Sequence, residues 1–146
     1  GTFGKVFSQL FGGGEGKLVL SNPSDVLNSE IEIMAQPDGK KLRTTSVMSG
    51  GEKSLMAIAL LFSILMTKPA PFCILDEIDA ALDDSNISRF NAFLEKLSQD
   101  IQFVTITHRR GTMETSDYIY GVTMQDKGVS KVVSLKFEEA TDFIEQ

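Results

Sequence analysis

The feature that most restricts the fold of this chain is the order helix, strand, helix, strand, with short and mostly apolar strands. Residues 72–75 form one such strand (Phe-Cys-Ile-Leu), and residues 101–107 form the next. A continuous apolar run is typical of a strand in a parallel sheet that is covered on both faces. The order therefore predicts an α/β fold with a partly parallel sheet flanked by helices.

A Ser-Gly-Gly-Glu run precedes the first of these strands. Ser49 is a favourable helix N-cap, and Glu52 stands three residues later, which is the capping-box pattern. We predict a buried helix, apolar nearly all round, from this cap to about Met66. Gly50 and Gly51 leave backbone amides bare at the helix start, where anions are favoured.

Ionisable side chains follow both apolar strands. Asp76 and Glu77 follow the first strand, and His108 follows the second. Ligands of open α/β sheets bind beyond the carboxyl ends of the strands. We therefore expect both strand ends, with these residues, to face one crevice. Asp76 suits a place near a magnesium ion, and Glu77 suits a role in orienting or deprotonating water. The pattern describes half of a nucleotide-hydrolysing site, because no Gly-rich loop ending in Gly-Lys-Ser/Thr occurs in the 146 residues.

Each of these motifs also has a purely structural explanation. An acidic pair at a strand end is more often a solvated turn, and a lone histidine after a strand is more often structural. Ser-Gly-Gly at a helix start is often only a cap. The order of the motifs, with Ala81-Leu82-Asp83 just after the carboxylates, favours the functional interpretation.

The rest of the chain predicts one helix at the N-terminus and several further elements. Five apolar residues recur at helical spacing before three glycines: Phe3, Val6, Phe7, Leu10 and Phe11. We also predict strands at residues 17–20, 30–35, 118–124 and 130–137, a turn at residues 37–39, a helix capped by Asp84 or Ser85, and a short helix near Met113.

Composition excludes several classes of protein. The net charge is −6 with scattered basic residues, so this chain alone is a poor non-specific DNA binder. The longest apolar stretch, residues 55–66, suits a buried helix better than a membrane span, and we expect no signal peptide. The single cysteine lies in an apolar strand, which excludes a disulfide framework and is typical of a reducing cytoplasm.

The motifs together resemble those of a known superfamily. Residues 49–52 resemble the signature motif of ABC-type ATPases, residues 72–77 their Walker B strand, residues 80–83 their D-loop, and His108 their switch histidine. The longer context resembles the C-terminal head segment of bacterial-type SMC (structural maintenance of chromosomes) proteins from about residue 11 to 135. The segments that carry this likeness are residues 36–42, 69–83, 107–114 and 120–125.

The resemblance implies that residues 12–146 are the C-terminal lobe of an ATPase head and residues 1–11 the foot of a returning coiled-coil helix. The N-terminal lobe of the same protein would supply the phosphate loop, so the isolated chain should be inactive. Two heads would sandwich two ATP molecules. The implied roles are nucleotide binding for Ser49, Gly50, Gly51, Glu52 and Asp83, Mg2+ binding for Asp76, and catalysis for Glu77 and His108.

The resemblance also implies partners and a cellular role. These are a second SMC head in a homodimer, a kleisin subunit and DNA bound through the full assembly, with no membrane. ATP-dependent head engagement would serve chromosome condensation and segregation in the cytoplasm, at the nucleoid. We expect the kleisin to dock away from the nucleotide crevice, on the later strands or the outer edge, because apolar and polar residues alternate over residues 117–137. Packing of this face on the lobe's own core stays open as the alternative.

Two alternatives stay open. The chain resembles, more distantly, the head lobe of a related ABC-type DNA-repair ATPase or a transporter subunit. Glu52, where transporters usually carry Gln, and the Thr112-Met113-Glu114 context argue against these. The second alternative is a fragment that acts only as a partner-docking module.

Overall fold

The computed structural model describes residues 1–136 and has the predicted α/β class. Its helices are α1 (Thr2–Phe11), α2 (Gly50–Thr67), α3 (Asp84–Leu97) and α4 (Arg110–Met113). Its strands are β1 (Glu15–Leu20), β2 (Ile31–Gln36), β3 (Arg43–Thr44), β4 (Phe72–Asp76), β5 (Gln102–Ile106), β6 (Tyr118–Asp126) and β7 (Val129–Lys136). Phe137, included in the last predicted strand, lies outside the described residues.

The strands form three separate pairings. β1, β2 and β3 make an antiparallel sheet, β4 and β5 pair in parallel, and β6 and β7 make an antiparallel hairpin. The α/β class is as predicted, but the parallel pair β4–β5 forms a sheet of its own among the described strands and not part of one mixed sheet. The chain divides into two compact units, residues 1–107 and the segment from His108 onward.

The core of the first unit is built around α2. Phe62, which is completely buried, lies with its ring centroid 5.8 Å from Phe90, 5.3 Å from Phe93 and 6.5 Å from Phe103. By length and composition alone α2 would also pass for a membrane span. Because its buried side chains belong to the same cluster as those of α1 and α3, we interpret it as a core helix.

Helix α1 also packs into this core, as its spacing predicts. Phe3, Val6, Phe7 and Leu10 are buried. A side chain on Gly16 would meet the ring of Phe7, with only 2.6 Å from a Cβ to Phe7 Cγ. The glycine therefore lets β1 approach the helix closely. Whether α1 is the foot of a coiled coil stays a prediction, as does a boundary at residue 11.

The prediction that β4 is covered on both faces is wrong for the described chain. Leu75 is buried, but Phe72 and Ile74 point to the other face and are 58% and 59% exposed. Val104 and Ile106 of the paired strand β5 are exposed as well. Sequence alone misled here because a continuous apolar run does not say whether the covering layer belongs to the same compact unit.

We predict that Phe62→Ala lowers the free energy of unfolding by about 3–5 kcal/mol, because it leaves a cavity among three aromatic rings. The matched control is Ile64→Ala, two positions along the same helix, where the side chain is 56% exposed. This change should cost no more than about 1 kcal/mol. Urea unfolding of both variants measures the difference, and equal losses would contradict the assignment of the core.

Candidate functional site

The Ser-Gly-Gly-Glu run forms the predicted capping box at the start of α2. The Ser49 hydroxyl accepts a hydrogen bond from the Glu52 amide at 3.3 Å, and Glu52 Oε2 accepts one from the Ser49 amide at 3.0 Å. Gly50 has open space around its Cα, so a ligand can approach the backbone there. This arrangement fixes the helix start, and the first-turn amides of a helix suit an anion.

Lys40 completes this helix start, a role that the sequence patterns did not predict. Its Nζ lies 2.6 Å from Glu52 Oε1, so each carboxylate oxygen of Glu52 has its own donor. The pKa of Glu52 is lowered to about 2, and the largest cause is the hydrogen bond from Lys40. The hydrogen bond from the Ser49 amide is the second largest cause. No sequence pattern links positions 12 residues apart in different elements, which is why the pair was not predicted.

The predicted D-loop lies against the signature run. A Cβ on Gly51 would stand 3.5 Å from the Ala81 carbonyl oxygen. Asp83 caps α3, since its Oδ1 accepts hydrogen bonds from the Asn86 amide at 2.8 Å and the Ser85 hydroxyl at 2.9 Å. The Asn86 amide is the main cause that lowers the pKa of Asp83.

The predicted cap at Asp84 or Ser85 is therefore wrong by one or two positions. Asp83 has the extended backbone of an N-cap, with φ −77° and ψ 167°, whereas Asp84 is already helical. Asp83 thus has a structural role, and its predicted contact with nucleotide stays a proposal.

The two candidate catalytic carboxylates lie at the carboxyl end of β4. Asp76 is the last residue of the strand, in register with Ile106 of β5, and both Asp76 and Glu77 are exposed. The Glu77 amide donates to the Ile106 carbonyl at 2.8 Å, which extends the ladder by one residue. Glu77 has a φ of +48°, the only positive value among the non-glycine residues described. Such a backbone is strained, and strain of this kind concentrates at functional sites.

Asp79 also has a role that the sequence patterns did not predict. Its side chain is buried, and its Oδ2 accepts a hydrogen bond of 2.7 Å from the Thr107 hydroxyl. The bond ties the loop after β4 to the end of β5. It therefore holds the loop that carries Glu77 beside the strand that leads to His108.

His108 is exposed and begins the second compact unit, two residues after β5 ends. Its place just after the end of β5 is as predicted. Its proximity to the two carboxylates stays a prediction.

Asp76 is a candidate Mg2+ ligand, and phosphate oxygens and water would have to complete the coordination. Within residues 1–136, no three His, Cys, Asp or Glu side chains lie close enough together to hold a metal. Mg2+ in nucleotide sites is commonly held by one or two carboxylates with substrate phosphates and water. An exposed Asp76 at a strand end is compatible with that coordination.

We predict that Glu52 makes the stability of this region depend on pH. Because its folded pKa is depressed to about 2 from an ordinary value of 4.5, its contribution is full above about pH 5 and is lost between pH 4.5 and 2. The difference in free energy of unfolding between the parent and Glu52→Gln should therefore be constant at neutral pH, about 1 kcal/mol, and shrink in acid.

Urea unfolding between pH 7 and pH 3 measures this difference. In a Lys40→Ala background the decline should begin at higher pH, because the largest cause of the depressed pKa of Glu52 is gone. A difference that stays constant down to pH 3 would contradict the geometry of the pair.

The chain is similar to proteins that partition chromosomes. It is 57% identical over 143 residues to the chromosome partition protein Smc of Bacillus subtilis (strain 168), across 98% of this chain and 12% of that relative. It is 59% identical over 135 residues to Smc of Clostridium kluyveri, across 92% of this chain. The chain thus spans about an eighth of the length of these relatives.

Solved structures agree with the sequence likeness. A structure from work on ATP-driven dimerization and DNA-stimulated activation of SMC ATPases superposes with a TM-score of 0.88 at 44% identity, across 99% of this chain and 87% of that one. The Smc head domain of Pyrococcus furiosus, bound to the C-terminal domain of ScpA, gives a TM-score of 0.85 at 46% identity, across 99% of this chain and 36% of that one.

The matching family model covers residues 9–131 and is described as the RecF/RecN/SMC N terminal domain. That description does not support the C-terminal placement predicted from the motifs. What the match does establish is the family. With residues 9–131 matched and with Smc heads as structural neighbours, this chain belongs to the RecF/RecN/SMC family and has the fold of an SMC ATPase head region.

Proposed function

We propose that this chain is one lobe of an SMC head and completes an ATP site with a second lobe of the same protein, which carries the phosphate loop. The assembled head would bind ATP, engage a second head and hydrolyse the nucleotide in chromosome condensation and segregation. We place the chain as the C-terminal lobe because it contains the signature, Walker B and D-loop runs and His108, but no Gly-Lys-Ser/Thr loop. Motif content supports this placement although the family description names an N-terminal domain.

The observation that carries the proposal is the β4–β5 pair. One of its faces packs on the core, while the other exposes Phe72, Ile74, Val104 and Ile106. Asp76 and Glu77 stand exposed at its carboxyl edge. Exposed contiguous apolar surface marks an interaction site, and parallel strands are ordinarily covered on both faces. A second lobe on this face would bring its phosphate loop beside the carboxylates.

Each residue then has a definite task. Asp76 would hold the Mg2+ that accompanies ATP, a group whose chemistry would be to offset negative charge on the phosphates. Glu77 accepts a proton from the attacking water or orients it. His108 contacts the terminal phosphate. Ser49 and the amides of Gly50 and Gly51 bind the terminal phosphate of the nucleotide held by the opposite head.

We predict that Glu77→Gln stops hydrolysis but preserves ATP binding in the assembled head. Gln keeps the shape of the side chain but cannot accept a proton, so the rate should fall by at least about a hundredfold. The control is Glu95→Gln, an exposed carboxylate on α3, which should leave the rate unchanged. Phosphate release and equilibrium binding of labelled ATP provide the two readouts.

Normal ATP turnover by Glu77→Gln would refute the proposal that Glu77 accepts a proton from the attacking water. The absence of any ATP hydrolysis by the assembled parent head would instead favour the alternative that the chain acts only as a docking module.

We also propose that the chain carries a kleisin-binding surface, as the homologous Smc head bound to ScpA suggests. The β6–β7 hairpin presents one apolar face. Val122 lies directly opposite Val132 in the ladder, and both are exposed, as are Tyr118 and Tyr120 on the same face of β6. Such a face is a suitable docking surface for the winged-helix end of a kleisin.

We predict that Val122→Glu weakens kleisin pull-down at least about tenfold, because it puts a charge into an apolar contact. Lys131→Glu tests the opposite face of the hairpin, where Lys131 pairs with Thr123. A larger loss of pull-down in Lys131→Glu than in Val122→Glu would place the kleisin on that face instead. ATP binding by the assembled head should be the same in both variants. Equal pull-down by the parent and Val122→Glu would place the kleisin elsewhere, for example on α1.

A further inference from the structure

The signature run contains an electrostatic conflict. A carboxylate in the first turn of a helix is stabilised by the positive end of the helix dipole. The same carboxylate repels another anion that approaches the same amides. Glu52 is 20% exposed and lies in the first turn of α2, beside the amides proposed to receive a terminal phosphate. Some feature of the chain has to compensate its charge.

Lys40 is placed to do this. Its Nζ contacts Glu52 Oε1 at 2.6 Å, while Glu52 Oε2 holds the Ser49 amide. A tight turn sets the direction from which the Lys40 side chain approaches Glu52. In this turn the Lys40 amide donates to the Pro37 carbonyl at 3.0 Å, and Gly39 has a φ of +70°. Pro37 is buried, which anchors the turn.

We propose that Lys40 is a positioning residue for nucleotide binding across the head–head interface. It neutralises Glu52 and holds the capping box in the geometry that receives a nucleoside triphosphate from the opposite head. The Lys40–Glu52 pair would then act as one neutral unit. This inference rests on the proposed function of the signature run.

The neighbouring Lys41 provides a matched control. It carries the same charge and follows Lys40 directly, but the ion pair to Glu52 is made by Lys40. A change of net charge alone would therefore affect both lysines equally, whereas the proposed role belongs only to Lys40.

A double-mutant cycle on the full-length protein tests the proposal. Steady-state ATP hydrolysis is measured for Lys40→Gln, Glu52→Gln and the double variant, with Lys41→Gln as the control. We expect Lys40→Gln to lower kcat/KM about tenfold and Lys41→Gln to lower it less than about twofold. Glu52→Gln should retain measurable turnover, and adding Lys40→Gln to it should change the rate less than about twofold.

Two further variants separate positioning from stability. Lys40→Arg keeps the charge and should restore most of the activity lost in Lys40→Gln. Thermal unfolding of Lys40→Gln should stay close to that of the parent, because an exposed ion pair contributes little to stability. Ser49→Arg, which blocks the signature run itself, sets the lower limit of activity.

Several results would overturn the proposal. Equal losses of kcat/KM in Lys40→Gln and Lys41→Gln would mean that the loss comes from the change in net charge alone. A loss that persists in the Glu52→Gln background would mean that Lys40 contacts the phosphate directly. An inactive Glu52→Gln variant would show that the pair is not equivalent to a neutral side chain. Absence of ATP hydrolysis that depends on Glu77 in the parent would refute the proposed function itself.

Discussion

The aromatic packing of α2 is the interaction on which the rest of the first unit depends. Phe62 is enclosed by Phe90, Phe93 and Phe103, so it holds α2 against α3 and β5. The same helix begins at Ser49, and its N-terminal amides are the candidate anion site. Because a close-packed core transmits small displacements, a shift of Phe62 would move the helix start as well. Core and site are therefore not independent parts of this unit.

The edge that carries the carboxylates is held by a different set of interactions. The Glu77 amide bonds to Ile106, and the buried Asp79 accepts the Thr107 hydroxyl, so the loop after β4 is fastened twice to the end of β5. These bonds support a left-handed backbone at Glu77, which costs about 1–3 kcal/mol. A glycine would adopt that backbone without strain, but it would provide no carboxylate.

The sequence predicts most of this architecture because its signals are local. Capping boxes, helical spacing and apolar strands are patterns within one element, and the structure has the cap at Ser49, the buried face of α1 and the parallel β4–β5 pair. What sequence could not predict depends on contacts between elements. The Lys40–Glu52 pair joins a turn to a helix, the Asp79–Thr107 bond joins two strand ends, and the exposure of Phe72 depends on what covers the strand.

The exposed face of β4–β5 gives a physical reason for assembly and hydrolysis to be linked in the proposed head. Phe72 and Ile74 lie on the strand that ends in Asp76, and Ile106 lies opposite Asp76 in the ladder. A lobe that covers these apolar side chains gains roughly 25 cal/mol for each Å² of apolar surface removed from water. It would also lie beside the carboxylates and exclude bulk water from them, which would strengthen the charge interactions there while the nucleotide site keeps the attacking water. The free energy that joins the lobes would thus also form the environment in which Glu77 can act.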